Sequence, residues 1–172
     1  MRRALMTAFG TLALTIATGV GAAHAGSPWV PVIEEDLTLP AARTTCGFDI
    51  AEHIVSQAEK KRTTATYPDG TPMTEVFRGD LTIEFTNLST GTSVVRDLGG
   101  TGLFRYNPDG TPASLTSLHG PFSATMPPGS TPSTGLFVLD GKGTAVTFNA
   151  DGSRSYTLGK QGTAENLCLT LS

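Results

Sequence analysis

Short runs in which apolar and polar residues alternate, separated by turn signals, constrain the fold of this 172-residue chain most strongly. In the clearest run, residues 81–86, Leu, Ile and Phe alternate with Thr, Glu and Thr, the two-residue period of a half-buried β-strand. The same alternation pairs Leu136 with Val138, Val146 with Phe148, and Tyr156 with Leu158. Sustained helical periodicity is almost absent. We predict one all-β domain of about eight to ten short antiparallel strands.

The turns between these runs contain a weak internal repeat. Pro-Asp-Gly-Thr-Pro occurs at residues 68–72 and 108–112, with a degenerate copy at 149–153. A glycine follows the three copies at Gly79, Gly120 and Gly162, respectively. Asp-Gly favours a hairpin because type I′ turns need positive φ at both central residues. Three copies are too few for a closed propeller, so the repeat indicates recurring hairpins in a meander.

Residues 49–61 form the one segment with a helical alternative. Asp49 and Glu52 resemble a capping box, and Ile50, Ile54 and Ala58 fall four residues apart. The segment nevertheless runs through a threonine-rich stretch directly into the turn at residues 67–70. A bent strand or hairpin explains the whole stretch, and we predict strand here.

The first 25 residues have the features of an export signal. Arg2 and Arg3 provide a positive start, an apolar run of small residues follows from Ala4 to Val20, and Ala23-His24-Ala25 has the form of a cleavage site. The run is too short for a membrane span, so we expect no transmembrane segment in the mature protein. We predict a secreted, extracellular protein cleaved near Ala25. The paired arginines leave twin-arginine export open beside ordinary secretion.

Residues 26–45, called the arm below, have the composition of an extended segment. Pro28, Pro31 and Pro40 interrupt it, and an acidic run covers residues 34–36, so we do not expect a helix. Its apolar residues permit a short strand against the body of the domain. Residues 46–172 then make up the all-β domain.

Two cysteines, Cys46 and Cys168, lie near the two ends of the patterned region. An even pair in an exported protein is most simply a disulfide. We infer from it that the first and last strands lie side by side. With hairpin connections dominating, this favours an up-and-down barrel, whose closure removes exposed sheet edges. A two-sheet β-sandwich is the alternative.

The charge of the mature chain argues against several partners. Removing Arg2 and Arg3 with the signal changes the formal net charge from −3 to about −5. The basic cluster at residues 60–62 is only three residues long, whereas nucleic-acid binding needs a basic face that neutralises phosphates. We predict no nucleic-acid partner.

Catalytic signatures are sparse. A serine hydrolase needs a nucleophile, a base and an orienting acid in contact, but no Gly-x-Ser-x-Gly elbow occurs. His53 and His119 are the histidines of the mature chain. His119, at the predicted end of a strand, is a candidate base, and Glu84 or Glu75 is a candidate cavity carboxylate.

Metal-site signatures are also missing. Zinc needs three or four nitrogen or sulfur ligands, and calcium needs six or more converging oxygens, which the Asp-Gly turns do not provide in sequence. We predict no metal and no cofactor.

From Cys46 onward the chain resembles a group of small exported β-rich proteins of actinobacteria. The resemblance is carried by Cys-Gly-Phe-Asp at 46–49, by residues 85–94, 135–139 and 148–152, and by Leu-Cys-Leu at 167–169. These motifs are signatures of turns and strands. The resemblance implies secretion, the β class and the terminal disulfide, and it implies no assigned activity. Residues 50–66 depart somewhat from the group's pattern.

Two classes of function stay open. The lack of catalytic spacing favours a secreted, non-catalytic module that binds an apolar small molecule or a component of the cell envelope, since small barrels can hold one ligand. The alternative is a small extracellular hydrolase or isomerase that uses His119 or a carboxylate such as Glu84. A pocket in which either residue has a neighbouring partner would favour the enzyme, and an apolar cavity would favour the module.

Overall fold

Strands joined by tight turns make up most of residues 27–172, the part of the chain that the computed structural model describes. These residues form a single all-β domain with three antiparallel sheets. The β class predicted from the alternation is therefore confirmed. The predicted signal peptide, residues 1–25, lies outside the described residues.

The described residues contain fourteen strands and two short helices. The strands are β1 (Val30–Pro31), β2 (Leu37–Leu39), β3 (Ile50–Gln57), β4 (Lys60–Thr66), β5 (Pro72–Gly79), β6 (Leu81–Asn87), β7 (Ser93–Asp97), β8 (Gly100–Tyr106), β9 (Pro112–His119), β10 (Phe122–Met126), β11 (Gly135–Asp140), β12 (Ala145–Phe148), β13 (Arg154–Thr157) and β14 (Thr163–Asn166). The helices are α1 (Ala41–Thr44) and α2 (Leu167–Thr170). Each helix has four residues, so neither helix of residues 27–172 is a candidate membrane span.

The chain forms a meander of long strands that bend between sheets. The seven-stranded sheet has the order β1-β4-β5-β8-β9-β12-β13, the four-stranded sheet β2-β3-β6-β7, and the three-stranded sheet β10-β11-β14. β3 and β4 are the two halves of one bent strand, and β5 and β6 are the two halves of a second. In each bent strand, one half lies in the four-stranded sheet and the other in the seven-stranded sheet. The strand count exceeds the predicted eight to ten because each bend divides a long strand in two.

The expected barrel does not form, and the alternative of a two-sheet sandwich is also wrong, because residues 27–172 contain three sheets and none is closed. The up-and-down order holds through the seven-stranded sheet, but β7 and β10 belong to different sheets and are not paired. The physical reason lies in β11, in which residues 135–139 are all buried. The three-stranded sheet, which contains β11, packs between the other two sheets and therefore does not continue the wall of a barrel.

Two hydrophobic cores lie on opposite faces of β11. Leu136 and Val138 belong to a core that includes Ile50 and Phe85 of the four-stranded sheet. Phe137 and Leu139 belong to a second core with Val146 of the seven-stranded sheet. The sequence alternation predicted that Leu136 and Val138 face a core. Phe137 and Leu139 face a second core, because the strand is apolar on both faces.

The internal repeat corresponds to three equivalent hairpins of the seven-stranded sheet. They join β4 to β5, β8 to β9, and β12 to β13. In each turn the N–H of the glycine donates to the carbonyl three residues earlier, as Gly70 does to Tyr67, and an Asp side chain accepts from the N–H two residues on. Only the glycine of each Asp-Gly pair has positive φ. The hairpins are thus correctly predicted, but their turn is a type I turn followed by a glycine and not type I′.

The glycines that follow the repeat mark places where two chain segments nearly touch. Gly79, Gly120 and Gly162 each lie where the chain leaves the seven-stranded sheet for another sheet. A Cβ on Gly120 would overlap the carbonyl oxygen of Gly99, and one on Gly79 that of Ala58. Glycine is required there because the crossing backbones leave no room for a side chain.

Residues 49–61 form strands, as predicted, and the arm pairs with them. β3 and β4 occupy residues 50–57 and 60–66, β1 pairs with β4, and β2 pairs with β3. The arm also contains the short helix α1, which the prolines argued against. It is a single turn that starts directly after Pro40, where the carboxylate of Asp49 accepts from the N–H of Ala41 at 2.8 Å.

The N-terminal end of the arm is held by cation–π contacts between Trp29 and two arginines. The guanidinium of Arg78 lies 4.0 Å from the centre of the Trp29 ring and that of Arg62 lies 4.8 Å from it. Cation–π contacts of this kind contribute ~0.5–2 kcal/mol each. Trp29 thereby attaches the arm to β4 and β5.

The disulfide between Cys46 and Cys168 is present, as predicted. Cys46 precedes β3 and Cys168 lies in α2, with their Cα atoms 4.8 Å apart. The inference that the first and last strands are neighbours is wrong, because β3 and β14 belong to different sheets. The bond joins the segments that flank those strands, so it does not close a sheet.

We expect alanine at Gly120 to destabilise the fold more than alanine at Gly110. Both glycines have positive φ, 78° and 80°, so either alanine is strained by ~1–2 kcal/mol. Gly110 has open space around its Cα, whereas at Gly120 the overlap with Gly99 adds ~1–3 kcal/mol of overpacking. Urea unfolding of the two variants measures the difference, and equal losses would contradict the close crossing.

We expect the double variant Cys46→Ser/Cys168→Ser to lose ~2–5 kcal/mol in the free energy of unfolding, because the bond closes a long loop in the unfolded chain. Urea unfolding measures this loss. The wild-type protein under reducing conditions is the matched control and should reach the same stability. An unchanged variant would show that the disulfide does not restrict the unfolded chain.

Candidate functional site

A cavity of about 290 Å³ lies in the angle where the bent strands pass from the four-stranded into the seven-stranded sheet. On one side it is lined by Phe77, Phe104 and Leu115, from the neighbouring strands β5, β8 and β9. Phe77 and Phe104 pack with their ring centres 5.0 Å apart. This wall of the cavity is apolar, and its two phenylalanine rings pack against each other.

The opposite wall comes from the four-stranded sheet, and β10 closes a third side. Ile54 and Ile83 line the cavity from β3 and β6, with Leu98 from the turn after β7 and Phe122 from β10. The cavity thus lies beside the place where β7 and β10 are unpaired. Its volume lies near the lower limit of the ~300–1,000 Å³ typical of small-molecule sites.

One end of the cavity is acidic. Glu34 and Glu35 of the arm, Glu52 of β3 and Glu59 at the bend between β3 and β4 all line it. Glu34 and Glu35 are exposed, so the cavity reaches the surface along the arm. Besides these four glutamates, the ionisable side chain in the lining is His119, and the lining found within residues 27–172 includes no lysine or arginine.

The surroundings of Glu52 and Glu59 raise the pKa of both carboxyl groups. Burial, followed by repulsion from Glu34, raises the pKa of Glu52 to about 7. The same two causes raise the pKa of Glu59 above its ordinary value. Carboxylates that lose solvent near other carboxylates hold their protons more tightly. This end of the cavity therefore gathers carboxyl groups that no lysine or arginine of the lining neutralises, and ionising Glu52 or Glu59 there is costly.

Side chains of β3 fasten the acidic part of the arm. Asp36 lies with one carboxylate oxygen 2.7 Å from Nδ1 of His53, and its other oxygen accepts from the N–H of Ile54 at 2.7 Å. The Gln57 amide accepts from the N–H of Glu34 at 2.7 Å and donates to its carbonyl at 3.0 Å. These contacts hold the arm along β3 and fix where Glu34 lies.

The candidate base His119 borders the cavity at the end of β9, where its side chain is exposed. Within residues 27–172 its imidazole takes part in no hydrogen bond or ion pair. A catalytic histidine is normally oriented by a second group, as in the serine hydrolases. The structure thus brings His119 to the cavity without such a partner.

The candidate Glu84 does not line the cavity. It lies on β6 between the buried Ile83 and Phe85, on the opposite face of the strand, where it is paired across the ladder with His53. His53 is exposed and also lies outside the cavity. The two named candidates, His119 and Glu84, are therefore not brought together. Within residues 27–172 no group of three His, Cys, Asp or Glu side chains is arranged to hold a metal ion.

Glu75 is buried on the inner face of β5, with 6% of its surface exposed. Its carboxylate accepts from Lys61 at 3.1 Å, from Thr63 at 3.2 Å and from the hydroxyl of Tyr106 at 2.9 Å. Burial and this carboxylate together raise the pKa of Tyr106. Glu75 does not line the cavity. Its carboxylate oxygens are thus engaged by side chains of the fold itself.

Glu52 and Glu59 were missed as site residues because residues 49–61 also fit a helical spacing. The signal that identifies Glu52 is the strand period, since Ile50, Glu52 and Ile54 alternate onto one face. A glutamate between two inward isoleucines is unusual, because charged residues rarely occupy a buried face. The acidic run at residues 34–36 was visible, but only the pairing of the arm with β3 brings it to Glu52.

We expect the contact of His53 with Asp36 to stabilise the fold most in mildly acidic solution. The hydrogen bond to Asp36 raises the pKa of His53 above its ordinary 6.5, and bonds from Ile54 and His53 lower the pKa of Asp36 below 3.8. Stability from charged His53 is fully present below pH 6.5 and is lost as the pH rises through its raised pKa. Stability from charged Asp36 is present above pH 3.8 and is lost as the pH falls through its lowered pKa.

The measurement is the free energy of unfolding of wild type and His53→Asn against pH. The difference between them should be largest between these two ordinary pKa values and fall at either side. Introducing His53→Asn into an Asp36→Asn background is the matched control and should largely remove this dependence. A difference that is constant with pH would show that the ion pair contributes nothing.

Comparison with known proteins identifies no relative. No family model matches the sequence, and no curated protein or solved structure shows significant similarity to it. The resemblance of residues 46–172 to small exported actinobacterial proteins therefore stays a prediction. The cavity, with its apolar walls and its acidic end, is the feature from which function is inferred.

Proposed function

We propose that this protein is a secreted, non-catalytic module that binds a small, largely apolar molecule in the cavity between its sheets. The cavity carries this proposal: about 290 Å³ of space walled by phenylalanine, leucine and isoleucine side chains. Protein interiors are normally close-packed. A ligand in such a cavity regains the dispersion contacts that its lining lacks when empty.

Two further observations support the proposal. The Cys46–Cys168 disulfide agrees with an oxidising compartment, and the export signal in the sequence would deliver the chain to one. Membership of the exported actinobacterial β-rich group is proposed on the same grounds. The imidazole of His119, the candidate base, has no orienting partner among the described residues. Glu84, the candidate carboxylate, lies outside the cavity. Both facts favour binding over catalysis.

Binding of the neutral dye N-phenyl-1-naphthylamine to the oxidised, mature protein tests the proposal. We expect saturable fluorescence enhancement with one dye per chain, because the dye is apolar and the side chains of Phe77, Phe104 and Leu115 would replace part of the water around it. In Ile54→Trp a larger side chain occupies part of the cavity, and we expect about tenfold weaker binding, equivalent to ~1.4 kcal/mol.

Val55→Trp is the matched control, because Val55 adjoins Ile54 but is 51% exposed and does not line the cavity. We expect wild-type affinity for this variant, with thermal unfolding confirming that both variants are folded. No saturable binding by the wild type, or equal weakening in the two variants, would overturn the proposal.

A further inference from the structure

Two carboxylates away from the cavity have cationic partners, which the carboxylates of the cavity lack within residues 27–172. Glu75 contacts Lys61, and Glu165 forms two hydrogen bonds with the guanidinium of Arg96 at 2.7 and 2.6 Å. Within residues 27–172 the carboxylates of Glu52 and Glu59 take part in no ion pair and accept no hydrogen bond. Glu75 and Glu165 are thus paired within the fold. Glu52 and Glu59 at the cavity form no ion pair among the described residues, and neither does the half-buried Glu84 outside it.

This arrangement is costly for the empty protein. Glu52 and Glu59 are partly buried, and Glu34 repels both of them. Desolvated charge without a partner is unfavourable, and removal of this cost requires either a proton or a nearby cation. The lining residues include no lysine or arginine. Lys61, whose Nζ lies 5.5 Å from the centre of the Phe77 ring, is paired with Glu75, and the imidazole of His119 forms no ion pair with a glutamate of the cavity within residues 27–172.

The acidic end and the apolar walls belong to one continuous space. On β3, Glu52 and Ile54 project to the same face two residues apart, so a carboxylate and an apolar wall residue are immediate neighbours. Glu59 lies at the bend, where the wall passes to the seven-stranded sheet and to Phe77. A molecule seated on the aromatic wall therefore meets carboxylates at one end only.

We infer that the ligand is an amphiphilic organic cation: a small apolar body with one protonated amine or quaternary ammonium group. The body lies against Phe77, Phe104 and Leu115, and the cationic group lies at Glu52 and Glu59, with Glu34 of the arm nearby. This inference rests on the proposed function and adds the charge of the ligand. An organic anion is disfavoured here by repulsion, and a neutral molecule gains only the apolar contacts.

Competition against N-phenyl-1-naphthylamine tests the sign of the charge. Octylammonium, octanol and octanoate share one alkyl chain and differ in their head group, and mildly alkaline solution keeps the glutamates ionised. We expect octylammonium to displace the dye at about tenfold lower concentration than octanol, because a partly desolvated ion pair adds ~1.4 kcal/mol. Octanoate should be the weakest competitor. Ammonium chloride at the same concentrations should not compete.

Variants test the assigned residues. In Glu52→Gln/Glu59→Gln the preference for octylammonium over octanol should fall to within about twofold, while displacement by octanol is unchanged. Glu84→Gln removes one negative charge outside the cavity and should keep the full preference. Thermal unfolding should show the double variant at least as stable as wild type, since it loses repulsion with Glu34.

The outcomes separate this inference from the proposed function. Failure of the dye itself to bind would overturn the proposed function. Dye binding with equal displacement by all three competitors would leave that function standing and overturn the inference of a cationic ligand. A preference for octylammonium that persists in the double variant, or disappears equally in Glu84→Gln, would show that general attraction to an acidic protein causes it, and would likewise overturn the inference.

Discussion

Burial of β11 on both faces is the constraint on which the rest of the structure depends. Leu136 and Val138 face one core and Phe137 and Leu139 face the other, so the three-stranded sheet lies between its two neighbours. A strand in that position cannot also extend the wall of a barrel. β7 and β10 accordingly remain unpaired edge strands of two different sheets. The cavity lies beside these unpaired edges, where the sheets diverge. The packing of one strand thus determines both the open architecture and the position of the proposed site.

Two sets of charged residues have contrasting surroundings. The first set forms ion pairs: Glu75 with Lys61, Glu165 with Arg96, and Asp36 with His53. The glutamates at the cavity are unmatched within the described residues, and their neighbourhood is made unfavourable for negative charge by burial and mutual repulsion. Stability alone would favour a lysine or a neutral residue at these positions. In the proposed function, these carboxylates receive the cationic group of the ligand.

Local features of the sequence predicted local features of the structure. Alternation identified strands such as residues 81–86, the Asp-Gly repeat identified three hairpins, and the cysteine pair identified the disulfide. The prediction of a closed barrel was wrong for two reasons. Closure depends on which sheets pack together, which local patterns do not specify, and the unbroken apolar run from Leu136 to Leu139 was interpreted as a strand with only one buried face. The cavity could not be predicted, since its size depends on the angle between sheets. Glu52 could have been predicted as an inward-facing residue, because the strand period places it between the inward-facing Ile50 and Ile54.

The arm has a mechanical consequence for the domain. Its strand β1 extends the seven-stranded sheet and its strand β2 extends the four-stranded sheet, so residues 32–36 bridge the edges of both. Trp29 anchors one end by stacking with two arginines, and the disulfide at Cys46 anchors the region beyond the other end. A change in the angle between the two sheets would have to stretch or shear this bridge. The arm therefore acts as a brace, and the width of the cavity is set as much by an edge segment as by the packing of the interior.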